Sequence, residues 1–234
     1  LLLFFQKKKF FLNLSNQEAG NMGKVIAVAQ QKGGSGKTML TAQFAVALAE
    51  GAKVAVLDID PQASLAAWGR LRAAAPKAVH RVDVVSVAGW RLAAELDKLK
   101  AAYDYVLIDT PPVIDSDARR AIRGADLVLI PLNPSPPDLW AAEGTLKLAA
   151  EEKRRTVLVF NRAPAASKLR KRLEAEIAAR RLVLLEAALG NRAGYANAFA
   201  DGLGVTESGP GTQAAEELRA AAQALQAQLG RSAP

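Results

Sequence analysis

The chain has 234 residues, half of them apolar, which suffices for one sizeable α/β domain and is short for two. It contains no cysteine, which excludes disulfides, thiolate-held zinc and iron-sulfur clusters and suits a reducing compartment. The formal charge is +8, of which residues 1–21 contribute +2, so the body is basic by itself and favours polyanionic partners.

The first segment, Leu1-Leu2-Leu3-Phe4-Phe5-Gln6-Lys7-Lys8-Lys9-Phe10-Phe11-Leu12, is unlike the alanine-rich remainder. Residues 1–21 read as a leader, non-native or disordered, with a lipid-surface anchor as the alternative. A secretory signal would place its lysines before the apolar run and follow it with a small-residue cleavage site. From Lys24 onward, apolar runs alternate with alanine- and leucine-rich stretches at helical spacing. The runs are 25–29, 54–58, 82–85, 105–109, 127–130 and 156–160. They lack in/out alternation, as strands buried on both faces do. This predicts an α/β fold over 22–234, a mostly parallel central sheet with helices on both faces.

Between the first run and the helix expected from Thr38 lies Gln30-Gln31-Lys32-Gly33-Gly34-Ser35-Gly36-Lys37-Thr38. A strand, a glycine-rich turn and a helix form the context of a phosphate loop. Gly33, Gly34 and Gly36 let backbone N–H groups approach phosphate oxygens, with Ser35 between them, and the helix N-terminus adds favourable partial charge. Lys37 would reach the β- and γ-phosphates and the Thr38 hydroxyl would bind Mg²⁺. The pattern G-x-x-x-x-G-K-[ST] asks for glycine where Gln31 stands, and Lys32 is a lysine that a simple phosphate cradle does not need.

Two further strand ends carry carboxylates. Tyr105-Val106-Leu107-Ile108-Asp109 has the Walker-B form, with Asp109 placed to hold Mg²⁺ directly or through water. Asp58-Ile59-Asp60-Pro61-Gln62 ends another strand with two acids that share a face in an extended chain. The lone histidine, His80, reads as a loop residue before a strand.

Taken together, 32–38, 58–62 and Asp109-Thr110-Pro111-Pro112 resemble the deviant Walker-A ATPases of the ParA/MinD family, a P-loop NTPase branch, over essentially all of 22–234. Asn133-Pro134-Ser135-Pro136-Pro137-Asp138-Leu139-Trp140-Ala141 is similar to the short ParA-type members. The resemblance implies ATP and Mg²⁺ as cofactors and slow, partner-stimulated hydrolysis. In that reading Lys32 reaches across an ATP-sandwich homodimer to the partner's phosphates, and Asp60 orients or activates the attacking water. Asp58 supports the metal and switch region, Asp109 holds Mg²⁺, and Asn161 matches a position that contacts the purine, although a loop asparagine fits equally. Met39 occupies the place of a second hydroxyl residue that touches the α-phosphate in many members, so that side-chain contact is lost or taken over by backbone.

The same resemblance implies nonspecific DNA binding, a ParB-like or cargo adaptor as partner, and a cytoplasmic, nucleoid-associated protein that partitions or positions a plasmid, a chromosome or a protein cluster. Lys168, Arg170, Lys171, Arg172, Arg180 and Arg181 are the candidate DNA contacts. Around them Leu169, Leu173 and Ile177 recur every four residues, so a helix would bury that stripe and expose the basic set; a solvated face is the alternative. MinD-like membrane cycling is the rival, but 213–229 is alanine-rich with one arginine and fits packing on the body better than a membrane helix. A small ATP-dependent metabolic synthase on the same scaffold is the third reading.

Overall fold

The computed structural model describes residues 22–113, 115–164 and 167–231; the expected leader at 1–21 lies outside them. Six strands form one sheet: β1 (Lys24–Val28), β2 (Val54–Asp58), β3 (Val82–Ser86), β4 (Tyr105–Asp109), β5 (Leu127–Leu132) and β6 (Arg155–Phe160). Their spatial order is β3-β2-β4-β1-β5-β6 and every pairing is parallel. All six expected runs are strands, and the sheet has the α/β architecture expected.

Nine α-helices follow among the described residues: α1 (Lys37–Leu48), α2 (Ser64–Ala74), α3 (Leu92–Ala102), α4 (Ser116–Gly124), α5 (Pro136–Glu151), α6 (Lys168–Ala179), α7 (Ala193–Ala200), α8 (Val205–Ser208) and α9 (Gln213–Leu229). Alternate strand residues feed two faces. Ile26, Val28, Val56, Leu107, Leu129 and Val159 pack against α1, α2, α7 and α9. On the other face, Val25, Ala27, Leu57, Val106 and Ile108 meet α3 and α4, while Val128, Ile130, Leu158 and Phe160 meet α5 and α6. Both faces of β1, β2, β4 and β5 are therefore dry past their first residues, which is why these read as continuous apolar runs, while β3 at the sheet edge is half-buried and carries Asp83. Each large side chain removed from water here, such as Phe44 or Leu107, contributes about 1.5–3 kcal/mol.

Leu218, Ala222, Leu225 and Leu229 of α9 are buried in the first of these clusters, as the alanine-rich stripe implies. No helix among the described residues is long and apolar enough to cross a membrane. The stripe on α6 is one turn shorter than expected: Leu173 and Ile177 are buried, but Leu169, in the first turn, is 40 % exposed, because the helix packs only from its second turn onward.

In a parallel sheet all strands start at one edge and finish at the other. The phosphate loop after β1, Asp58 and Asp109 at the ends of β2 and β4, the Pro-rich turn after β5 and Asn161 after β6 therefore gather at one edge. Lys24, Arg155 and the residues just before β5 gather at the opposite edge.

Candidate nucleotide site

The loop from Gln30 to Gly36 turns into α1 with Gly34 at φ 77° and Gly36 at φ 91°, left-handed values that favour glycine. A side chain at Gly33 or Gly34 would enter open space, so backbone N–H groups there are free to be approached by a ligand. Gly36 is constrained on its other side, since a Cβ there would lie 2.5 Å from Asn161 Nδ2. Lys37, buried in the first turn of α1, donates from Nζ to the Gln30 carbonyl at 3.0 Å, folding back over the loop it closes. Burial lowers its pKa, opposed by the nearby charges of Asp109 and Asp60. A cavity of about 210 Å³ is lined by Gly33, Gly34, Gly36, Lys37, Thr38, Met39, Asp60 and Pro112.

Asp109 is fully buried, and neither carboxylate oxygen has a hydrogen-bond partner among the described residues. Burial drives its pKa up to about 7, against the pull of the adjacent Thr38 hydroxyl, which approaches without meeting hydrogen-bond geometry, and of Lys37. A buried carboxylate without a donor is costly, and a cation held between it and a phosphate relieves that cost. Mg²⁺ in phosphate sites is held by one or two protein groups together with the phosphates. Thr38 and Asp109 fit that set.

Asp58 engages both of its carboxylate oxygens with backbone N–H groups. Its Oδ1 accepts the Asp60 N–H at 3.1 Å and its Oδ2 accepts the Ala66 N–H at 2.8 Å, so the carboxylate ties the 59–63 loop to the start of α2. The reason is local, because the first turn of a helix leaves N–H groups unpaired and Asp58 satisfies one. Burial still pushes its pKa up, partly offset by these N–H groups. These bonds fit the support of the switch region expected of it. Asp60 is half-exposed and lines the phosphate cavity, and Ala63 in the same loop has φ 51°, a strained value for a residue with a Cβ.

Lys32 stands on the rim with Nζ donating to Asp138 Oδ2 at 2.5 Å; the lysine side chain is 39 % exposed and the aspartate 2 %. Asp138 sits in the first turn of α5, whose N-cap is Ser135 with Pro136 at the first helical position. It also accepts from Ser135 Oγ at 2.5 Å and from Asn133 Nδ2 at 3.0 Å. Burial would raise the Asp138 pKa, but Lys32 and Ser135 hold it below the ordinary value. Two turns along α5, a Cβ at Gly144 would lie 2.4 Å from the Gln31 side chain, so the glutamine lies flat on the helix at that position. The residue that breaks the usual loop pattern thus docks the loop on α5.

Asn161 is buried and spends both ends on protein groups: Nδ2 donates to the Ser35 carbonyl at 2.9 Å and Oδ1 accepts the Arg162 N–H at 3.0 Å. Arg162 donates to the Gly34 carbonyl at 3.0 Å. These contacts brace the phosphate loop from the end of β6. Next to them is a cavity of about 350 Å³ that Met39, Asn161 and Arg162 share with Asn191, Arg192 and Tyr195. Sequence reasoning missed the last three. They arrive because segment 183–190 runs along the outer edge of β6, with Leu185 N–H donating to the Leu158 carbonyl and Leu189 N–H to that of Phe160.

Of the DNA candidates, Arg170 is paired with Glu174 and lies over the Phe160 ring, and Arg180 is paired with Glu143 and Glu176. Lys168, Lys171, Arg172 and Arg181 show no ion pair among the described residues, and all lie far along the chain from the phosphate loop.

A model of the CobQ/CobB/MinD/ParA nucleotide binding domain matches residues 26–205. The chain belongs to this family. Maintenance of carboxysome distribution protein A from Halothiobacillus neapolitanus is 28 % identical over 207 residues, covering 86 % of this chain and 95 % of that protein. Sporulation initiation inhibitor protein Soj from Bacillus subtilis is 29 % identical over 164 residues, covering 54 % of this chain and 64 % of Soj. Among solved structures, the cell division ATPase MinD of Pyrococcus furiosus superposes with a TM-score of 0.75 at 22 % identity, covering 88 % of this chain and all of MinD. The ATP complex of a substituted Cyanothece McdA superposes with a TM-score of 0.72 at 20 % identity, over 88 % of this chain and 98 % of McdA. The likeness to these two structures is one of fold, and this chain's fold is that of the ParA/MinD P-loop proteins.

Proposed function

We propose that the chain is a Mg²⁺-dependent ATPase that closes into an ATP-sandwich homodimer, binds DNA without sequence preference, and positions a cargo until an adaptor-stimulated hydrolysis releases it. The observation that carries this reading is Lys32, a second cation on the rim of a complete phosphate loop, outside the lining of the loop's own phosphate cavity and held by Asp138. A cation in that place is surplus to a single chain and useful to a second one.

Lys37 would neutralise the β- and γ-phosphates from within the loop. Backbone N–H groups of Gly33 to Gly36 would cradle them, Thr38 and Asp109 would hold Mg²⁺, and the metal would supply charge neutralisation on the phosphate oxygens. Asp60, in the phosphate cavity on a strained loop, would orient the attacking water. The neighbouring cavity with Tyr195 and Arg192 has the place and size for nucleoside, and Asn161 would act on it by fixing the loop that forms its wall. Before Lys32 can serve a partner it must leave Asp138, which makes dimer closure a switch with a built-in cost.

A protein assembly is favoured as cargo by the likeness over 86 % of the chain to a carboxysome distribution protein. The setting would be the cytoplasm, on the nucleoid. Binding of plasmid-length DNA with ATP, ADP or no nucleotide, at two salt concentrations, tests the switch. Retention only with ATP, weakening steeply with salt, is expected; binding indifferent to nucleotide overturns it. Liposome flotation tests the MinD-like rival, and release of phosphate only in the presence of a biosynthetic acceptor would favour the synthase.

A further inference from the structure

We infer that the sheet edge opposite the phosphate loop carries a second anion site, built from Lys24, Lys153, Arg154, Arg155 and Arg231, whose ligand is the phosphodiester backbone of duplex DNA. The inference rests on the DNA-binding part of the proposed function and moves its footprint away from α6.

These residues come from three places in the sequence, 24, 153–155 and 231. Lys24 begins β1, Arg155 begins β6, Lys153 and Arg154 form the turn after α5, and Arg231 follows the end of α9. Together with Asp126 and Leu229 they line a cavity of about 300 Å³. The one acid is already engaged, because Asp126 Oδ2 accepts the Val25 N–H at 2.7 Å. None of the five cations has an ion-pair partner among the described residues, in contrast to Arg170 and Arg180 on α6. Arg155 donates to the Gln228 carbonyl at 2.9 Å, which fixes the wall, while Arg154 Nε is buried without a hydrogen-bond partner among the described residues. Lys153 is held in a left-handed turn at φ 54°. Like charges gathered in one cleft repel, and a bound anion supplies the counter-charge that the described part of the chain lacks.

The rim separates a polymer from a small ion. Lys24, Lys153 and Arg231 are exposed around a half-buried Arg154 and Arg155, so the positive surface continues past the cleft, as a phosphate chain requires. A bilayer would need apolar side chains to insert, and the lining offers only Leu229, 7 % exposed.

Placement on the far edge has a consequence for the switch. Strands of five residues separate the two edges by about 17 Å, so two copies joined through their nucleotide edges would carry their clefts at opposite ends. ATP would then strengthen binding by avidity, two clefts acting at once on one DNA mass, rather than by assembling a shared surface.

The test uses the full chain with ATP and plasmid-length DNA across a salt series. The variant Lys24→Gln/Lys153→Asn/Arg231→Gln changes exposed side chains and keeps a residue tolerant of the left-handed turn at 153. It should dimerise normally by light scattering, while its slope of log affinity against log salt becomes shallower by about 2 to 3 for each cleft engaged. Lys168→Gln/Lys171→Gln/Arg172→Gln on α6 should stay within about threefold of wild type, less than one lost phosphate contact removes at low salt. An unchanged slope for the cleft variant with loss for the α6 variant overturns the site and leaves the DNA reading standing. A wild-type chain that fails to bind DNA with ATP overturns both. Flotation of wild type but not the cleft variant with anionic phosphatidylglycerol vesicles assigns the cleft to lipid and overturns it as well.

Discussion

Substituting Asp138→Asn removes the charge that holds Lys32 while keeping the side-chain shape: an amide oxygen in the Oδ1 position still accepts from Asn133, and the amide NH2 faces a Ser135 hydroxyl that can turn to accept. The contact is a single charge-assisted bond whose lysine is 39 % exposed and whose aspartate is buried. Full burial would place it at the upper end for hydrogen bonds to charged groups; water on the lysine side reduces it to about 1–2 kcal/mol. If dimer closure must break this bond, removing it in advance favours the dimer by that amount for each lysine, about 5- to 30-fold in the dissociation constant. The two lysines of a symmetric pair compound the gain. Sedimentation velocity with ATP over a concentration series reads the constant directly, with Lys32→Ala as the monomeric control. A dimer constant for Asp138→Asn equal to or weaker than that of wild type would show that Asp138 does not restrain Lys32.

Asp109→Asn should raise the melting temperature without nucleotide, since it relieves a buried carboxylate that has no donor, yet abolish Mg²⁺-dependent ATP binding by calorimetry; a lowered melting temperature would contradict the first half. Asn161→Ala removes bonds to Ser35 and Arg162 and leaves the Ser35 carbonyl unpaired, costing about 1–3 kcal/mol in chemical denaturation and weakening nucleotide binding through the loosened loop. Glu207 is buried, which alone would raise its pKa. Paired bidentate bonds from Arg72 at 2.8 Å and N–H groups of His80 and Gly204 instead hold it below 4.5. Its contribution is therefore present above about pH 4.5 and lost as pH falls through the lower folded value, so Glu207→Gln should flatten the acid limb of melting temperature against pH. An unaltered acid limb would mean that other carboxylates carry it.

The strands and the nucleotide edge were legible in the sequence for the same physical reason. A parallel sheet buried on both faces forces continuous apolar runs, and carboxylates directly after such runs, Asp58, Asp60 and Asp109, have to lie at one edge. What stayed hidden depends on contacts between distant segments. Gln31 reads as a missing glycine until Gly144 is seen to give it room, and nothing in the sequence marks the Ala66 N–H as a partner of Asp58. Arg72 and Glu207 are 135 residues apart. Segment 183–190, which delivers Arg192 and Tyr195 to the nucleotide edge, has neither alternation nor a turn signature, because it meets β6 through isolated bridges only. The basic cleft was illegible as a site because its one basic run, Lys153-Arg154-Arg155, carries no helical stripe and meets Lys24 and Arg231 only where strand beginnings gather. The α6 lysines and arginines drew attention instead because they cluster around an apolar stripe at helical spacing.

In the proposed cycle this nucleotide site is completed by a second copy of the chain. Light scattering of residues 22–234 with Mg-ATP, with Mg-ADP and without nucleotide, for wild type and Lys32→Ala, tests it most directly. A dimeric mass is expected for wild type with ATP alone, and a monomeric mass for Lys32→Ala that still binds ATP. A Lys32→Ala chain that dimerises with ATP as wild type does would contradict it.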